Sequence, residues 1–424
     1  MKFIFADALD MIDPKFDFVS DRMSVDRENY WGDVYAHEYF PKLPYDGVLV
    51  SRGIVGDDRF PGKYPGDLMM RFRRVGAREF LRLKGSRFSH MSIFGDCGAF
   101  SYVDEDTPPY TPEMMLEFYA DGQFTHGCSV DHIIFDFEPE AKGMRGGTTA
   151  ARRRYEITLE NAAAFLKRSR AMGRGFTPLG VIQGWSPASM GHAARKLTKM
   201  GYTYLAVGGM VPLNARQIHL CLKAIRTQIS SKVKLHLLGF AKADEVHEFT
   251  NYGIASFDTT SPLRRAFKDA RANYYHSNGN GTLDYFSAIR VPQATENTRL
   301  KRRAKSSGSN QERLLEQEKI ALRKLRRFDL GKESVNSTLQ AVMTYGREFL
   351  WDPNKSDATN RRALESATSA ARKTLQSRPW KHCRCKVCRE AGIETIIFRG
   401  SNRNKRRGFH NLFVFNEHLK RITQ

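Results

Sequence analysis

The chain has 424 residues, 41% of them hydrophobic and 27% charged, which is ordinary for a globular protein and long enough for a full core plus an appendage. Its formal net charge is +22, a balance that suits a polyanionic partner, although a merely soluble basic surface would give the same sum. No apolar run nears the roughly 18 residues of a membrane helix. The start, "MKFIFADALDMIDP", does not read as a secretory signal, and six cysteines with half of them clustered make no disulfide framework. The expected setting is a reducing cytoplasm near the nucleoid, without a membrane.

The first strand is expected near "KFDFVS". From about residue 45 to 262, short apolar runs then alternate with longer helical ones: "GVLVSRG", "SIFGDCG", "HIIFDFEP", "LGVIQGW", "YLAVGGM", "LHLLGF" and "ASFDTTSP". These runs are nearly continuous in apolar character, as parallel strands covered on both faces should be. Thr111-Pro112 and Ser186-Pro187 carry helix-start chemistry, and Gly201 and Gly253 stop helices before the next strand. About eight such units in this length favour a closed (β/α)8 TIM barrel, α/β in class. That barrel is expected over 1–265.

Beyond it the pattern changes. "HSNGNGTLDYF" reads as a turn followed by irregular structure, and "RLKRRAKSSGSNQER" as an exposed basic loop. Helices are predicted near 311–328, 333–350 and 358–377. Residues 266–378 thus read as a basic loop and helical insertion. Its candidate nucleic-acid contacts are Lys301, Arg302, Arg303, Arg323, Lys324, Arg326 and Arg327, joined by Arg264 and Arg265 just before it. A solvated helix face is the plainer alternative for these charges. Residues 379–424 hold "CRCKVC" (Cys383, Cys385, Cys388), a spacing that signals a zinc-binding subdomain before a C-terminal helix.

In a barrel of this kind chemistry sits at the C-terminal ends of the strands. Those ends carry Asp96 and Phe100 in "GDCGAF", Asp136 and Glu138 in "FDFEPE", Gln183 in "IQGW", Gly208, Gly209 and Met210 in "VGGM", and Asp258 in "FDTTSP". One such acid could simply cap the next helix; three at one mouth are costly to desolvate unless they are used. Two carboxylates suit displacement at an acetal-like carbon, one attacking and one moving a proton. Asp136, Gln183 and the open backbone at Gly208–Gly209 could read the edge of a flat polar ring, with Phe100 on its face, although Phe100 could equally be core packing. Glu138 or Glu140 could share the role of Asp136. Cys97, Cys128 and Cys221 read as small buried residues. The chain has no dinucleotide loop, phosphate loop or HExxH.

These motifs resemble the tRNA-guanine transglycosylases (queuine tRNA-ribosyltransferases). "GDCGAF" resembles their aspartate-plus-glycines loop, "GVIQG" their base-reading glutamine loop, "VGGM" their Gly-Gly-Leu loop, and "FDTTSPLRRA" the strand ending in the catalytic aspartate. "CRCKVC" followed by "FHNLFVF" is similar to their zinc site. The resemblance covers about 90–265 and 380–415. It departs at Cys97-Gly98-Ala99, at the Asp136 loop, which lacks the family's cysteine, and in the long insertion. With the N-terminal "FADALDMIDPKFDF", that insertion is most like the DNA-directed branch, DpdA-type enzymes that put 7-deazaguanines into DNA.

The resemblance implies a double displacement. Asp258 is then the nucleophile at C1′, and Asp96 the general acid/base. Asp136, Gln183, Gly208, Gly209 and Met210 hold the base edge, with Phe100 over its face. It makes His410 the fourth ligand of a structural zinc, ahead of His382 and His418. The partners implied are DNA, a 7-deazaguanine base (the 7-cyano form first) and further proteins of a DNA-modification system. Alternatives are exchange on tRNA, base removal without replacement, and a zinc-stabilised nucleic-acid-binding barrel without catalysis.

Overall fold

The computed structural model describes residues 1–422 except 58, 241–242, 279–281 and 307–310; at 243, 244, 247, 303 and 306 it describes the backbone alone. The chain divides into two compact units. One comprises residues 1–10 and 45–261, the other residues 11–44 and 262–422.

The first unit is a closed barrel of eight parallel strands, each paired with the next and the last with the first. They are β1 (Lys2–Ala6), β2 (Gly47–Ser51), β3 (Ser92–Asp96), β4 (His126–Cys128), β5 (Thr177–Ile182), β6 (Tyr204–Val207), β7 (Lys234–Leu237) and β8 (Ile254–Thr259). The barrel closes where Ile4 pairs with Asp258. Inside, Ile4, Leu49, Phe94, Cys128, Leu179, Val181, Tyr204 and Ala206 form one buried cluster, so the interior is packed rather than open. The expected caps are in place: Thr111 accepts from the Met114 N–H, and Ser186 closes a reciprocal capping box with Ser189.

Two strands lie elsewhere than expected. The first is Lys2–Ala6, whereas "KFDFVS" falls in the second unit and forms no strand, its Asp17 making an isolated bridge to Arg22. An unbroken "KFIFA" fits a strand buried on both faces better than the acid-interrupted alternation that follows. The fourth is His126–Cys128, and "HIIFDFEP" is irregular. The Ser129 hydroxyl takes the Val181 N–H that a longer β4 would otherwise engage, and the chain leaves the ladder there.

In the second unit, "HSNGNGTLDYF" contributes to an antiparallel pair, β9 (Tyr274–Ser277) with β10 (Leu283–Phe286), rather than irregular structure. A short parallel pair joins β11 (Ile289–Arg290) to β12 (Ile397–Phe398). The basic stretch starts as a helix, Thr298–Ser306, and not as a loop. The three later helices run Gln311–Asp329, Val335–Leu350 and Asp357–Ser377. The last helix, Ser401–Ile422, buries three arginines. Arg406 donates to the carbonyls of Asp13 (2.6 Å) and Pro14 (2.9 Å), and Arg403 pairs with Glu394 (2.8 Å), Asp21 and the Phe18 carbonyl. Arg407 donates to carbonyls at Thr395 and Ala266. Nearby, Arg399 pairs with Glu318 (2.6 Å) and Asp21. The N-terminal excursion, residues 11–44, is thus held by the last helix. No described helix is long and apolar enough to cross a membrane.

Candidate active site and metal cluster

At the C-terminal ends of the barrel strands lie three carboxylates: Asp96, the half-buried last residue of β3, and two buried ones, Asp131 beyond β4 and Asp258 near the end of β8. Burial pushes the Asp96 carboxyl up to about 7, and the charges of Asp258 and Asp131 add to it; hydrogen bonds from Ser51 and the Gly98 N–H only partly offset this. Asp96 Oδ1 is buried with no hydrogen-bond partner among the described residues. Gly98 has a left-handed φ of 77°, and a Cβ there would meet the Gly53 nitrogen and Ser51 Oγ at 2.7 Å, so the Asp96 loop requires glycine.

Asp131 was not among the residues singled out from the sequence. Its Oδ2 accepts from Gln183 Nε2 at 2.7 Å and its Oδ1 from the Cys97 thiol at 3.1 Å, while Tyr102 donates to its carbonyl at 2.9 Å. Burial raises its carboxyl above the usual range. Gln183, 2% exposed, also accepts from the Ile134 N–H at 3.3 Å. Gly208 and Gly209 flank the same amide: a Cβ on Gly208 would lie 2.4 Å from Gln183 Nε2, and Gly209 has a φ of 71°. Met210 is buried beside them. Asp136, by contrast, is exposed, and its Oδ2 accepts from Thr148 at 2.5 Å. The apolar run "HIIFDF" concealed this difference: once it is read as a strand, Asp136 becomes the strand-end acid, whereas the shorter "HGCSVD" places Asp131 there. Phe100 is 56% exposed, and its ring lies 5.9 Å from that of Phe135, also exposed.

Asp258 is 5% exposed. Its Oδ1 accepts from the Gly239 N–H at 2.9 Å and lies 3.1 Å from His236 Nε2. Cys97, Cys128 and Cys221 are buried free thiols, as expected; burial raises all three, Cys221 to about 12. None is a thiolate nucleophile at neutral pH.

In the second unit, Cys383, Cys385, Cys388 and His410 bring their ligand atoms within 4.8 Å of one another. His410 Nδ1 lies 3.3–3.5 Å from the three sulfurs, and its Nε2 hydrogen-bonds the Tyr275 carbonyl at 2.8 Å. That outer bond fixes the tautomer with the Nδ1 lone pair facing the thiols, so the four donors fit a metal ion. Tyr274 stacks on the imidazole at 4.0 Å. The adjacent Asn411 ties the helix to its unit, donating to the carbonyls of Pro262 (3.0 Å) and Asn273 (3.1 Å) and accepting from the Tyr275 N–H (2.9 Å). His382 and His418 are not in the cluster.

The basic residues divide. Arg264, Lys301, Arg302 and Arg323 are exposed. Arg265 lies over the rings of Tyr275 and Tyr285. Lys324 (2.9 Å) and Arg327 (3.0 Å) share Glu333, while Arg326 pairs with Glu394 (2.7 Å) and donates to the Phe18 carbonyl (2.8 Å). The side chain of Arg303 lies outside the described residues.

Acids at the C-terminal ends of barrel strands are where a TIM barrel carries its chemistry, and comparison with a relative gives the class, an enzyme that exchanges bases by glycosyl transfer. A DNA-guanine transglycosylase of Salmonella montevideo is 39% identical to this chain over 422 residues, which span 99% of this chain and 97% of the relative. No family model matches. The chain belongs to the DNA-guanine transglycosylase family.

Proposed function

We propose that the protein exchanges guanine in DNA for a 7-deazaguanine, first of all the 7-cyano base, through a covalent glycosyl-enzyme on Asp258. The observation that carries this reading is the set of three carboxylates at one barrel mouth, where desolvation and the charges of Asp258 and Asp131 push the Asp96 carboxyl up to about 7. Asp258 Oδ2 attacks C1′ of the target nucleotide; the C1′–N9 bond breaks and guanine leaves with the electron pair, taking a proton from Asp96. The incoming base gives its N9 proton to Asp96 and attacks the same carbon, releasing Asp258 as carboxylate. Two inversions give net retention.

Asp131, Gln183 and the backbone of Gly208–Met210 read the base edge, with Asp131 taking the part first expected of Asp136. Its carboxylate already engages Gln183, so the pair offers a fixed donor and acceptor pattern. Phe100 covers the base. C1′ must be unstacked for attack, which costs a few kcal/mol in a duplex. The exposed cations Arg264, Lys301, Arg302 and Arg323, within the insertion and just before it, are the best candidates for phosphate contacts. Arg326 is excluded by its role inside the unit, and Lys324 and Arg327 are weakened by sharing Glu333. Zinc is the metal that three thiolates and an imidazole fit best; four protein donors leave no position for water, so its role is structural. Action is on nucleoid DNA, with further proteins of a modification system as partners.

The test is incorporation of labelled guanine into duplex DNA, single-stranded DNA and tRNA by wild type and Asp258→Ala. Label entering DNA and lost in the variant supports the reading. Label entering only tRNA replaces the substrate, and abasic sites without label indicate base removal.

A further inference from the structure

Behind Asp258 a line of hydrogen bonds runs into the barrel interior. His236 Nε2 meets Asp258 Oδ1 at 3.1 Å, His236 Nδ1 meets Ser256 Oγ at 2.5 Å, and Ser256 Oγ meets the Tyr204 hydroxyl at 2.5 Å. His236 and Ser256 are fully buried and Tyr204 is 6% exposed. The Phe94 ring lies 4.9 Å from the imidazole, inclined by 23°, and holds its plane. His236 was not among the residues singled out from the sequence.

We infer that His236 is the positioning residue that orients the Asp258 carboxylate and selects which of its oxygens attacks. An ionised carboxylate can only accept, so His236 Nε2 carries the proton. In the neutral imidazole Nδ1 then accepts, so the Ser256 hydroxyl donates to it and the Tyr204 hydroxyl donates to Ser256. Every donor in the line points towards the aspartate. Two of them, the His236 and Gly239 N–H groups, end on Oδ1. Oδ2 has no hydrogen bond among the described residues and is the oxygen left to bond C1′.

The inference rests on Asp258 being the nucleophile, and it carries a kinetic consequence. The two donors bind the carboxylate more tightly than the glycosyl ester it becomes, because charge-assisted hydrogen bonds are the stronger ones. Their contribution therefore favours the second displacement, in which Asp258 leaves. Without His236 the ester should persist.

The experiment compares wild type, Asp258→Ala, His236→Phe and His236→Gln in labelled-guanine exchange on DNA, with protein–DNA adduct trapped by denaturation and a thermal melt of each. His236→Phe should lower kcat about 10- to 100-fold, lower the apparent KM for DNA by a similar factor because the ester accumulates, and raise the adducted share of enzyme. His236→Gln keeps a donor for Asp258 and an acceptor for Ser256, and should recover most of kcat. Should His236→Phe fail to fold, the Gln variant together with Tyr204→Phe, which breaks only the far end of the line, carries the comparison. Wild-type kcat and adduct in His236→Phe, with Asp258→Ala inactive, would overturn this inference alone. Exchange that survives in Asp258→Ala would overturn the nucleophile assignment and this inference together.

Discussion

Both units bury charge, but in opposite ways. In the second, Arg399, Arg403 and Arg406 each meet a carboxylate or main-chain carbonyls, and Arg407 is wrapped by carbonyls and Asn404. At the barrel mouth, Asp96, Asp131 and Asp258 meet a hydroxyl, an amide, a main-chain N–H and an imidazole, from Ser51, Gln183, Gly239 and His236, and their charges oppose one another. A buried charge matched by partners fixes geometry, whereas mutually repelling buried carboxylates keep a proton near neutrality and are costly to the fold. The first arrangement ties segments of its unit together, and the second is the one the proposed displacement requires.

The largest effect is expected for Asp258→Ala: exchange should fall by at least about 10³-fold with little change in melting temperature, read by label incorporation and calorimetry. The metal cluster of the second unit should behave conversely. Cys388→Ser should abolish metal binding at the cluster and lower the melting temperature by about 10 °C or more, checked by metal analysis and thermal melting.

A third test concerns pH. The folded-state pKa of Asp96 is raised to about 7, against an unfolded carboxylate near 4. The folded state therefore binds more protons between these values, and the stability associated with neutral Asp96 is present below about 4 and lost as pH rises through about 7. Asp96→Asn should raise the melting temperature at pH 8 relative to wild type, with little difference at pH 4. Exchange that needs the acid form should decline above about pH 7 in the wild type.

The smallest effects separate two neighbours. Arg326→Ala strips Glu394 of one partner and should cost about 1–3 kcal/mol of stability in denaturant titration. Arg323→Ala should cost less than about 0.5 kcal/mol yet reduce the salt slope of DNA binding by about one unit, measured by titration at several ionic strengths.

Much of the barrel was legible in the sequence because parallel strands buried on both faces leave unbroken apolar runs, as "GVLVS" and "TPLGVI" do. The same rule misplaced the fourth strand. Ile133 and Ile134 are buried without being in the ladder, and burial alone does not distinguish a strand from a packed loop. Asp131 was lost with that boundary. His236 stayed hidden for another reason: one histidine within "KLHLL" is indistinguishable from a satisfied core residue until Ser256 and Asp258 are brought beside it from the next strand. The metal cluster was the easiest to read, because three of its donors lie within six residues. For the basic insertion, composition gave the charge but not its partners. Only contacts show that Arg326 faces Glu394.

The grip of the last helix on residues 11–44 has a consequence for biosynthesis. The acceptors that Arg403 and Arg406 require at Asp13, Pro14, Phe18 and Asp21 are translated nearly four hundred residues before those arginines emerge. The ribosome thus delivers β1 and the excursion early, but β1 waits for β8 and the excursion waits for the final helix. A nascent chain halted before that helix would expose an unclasped excursion, and so offer chaperones and proteases a handle that the finished protein withdraws.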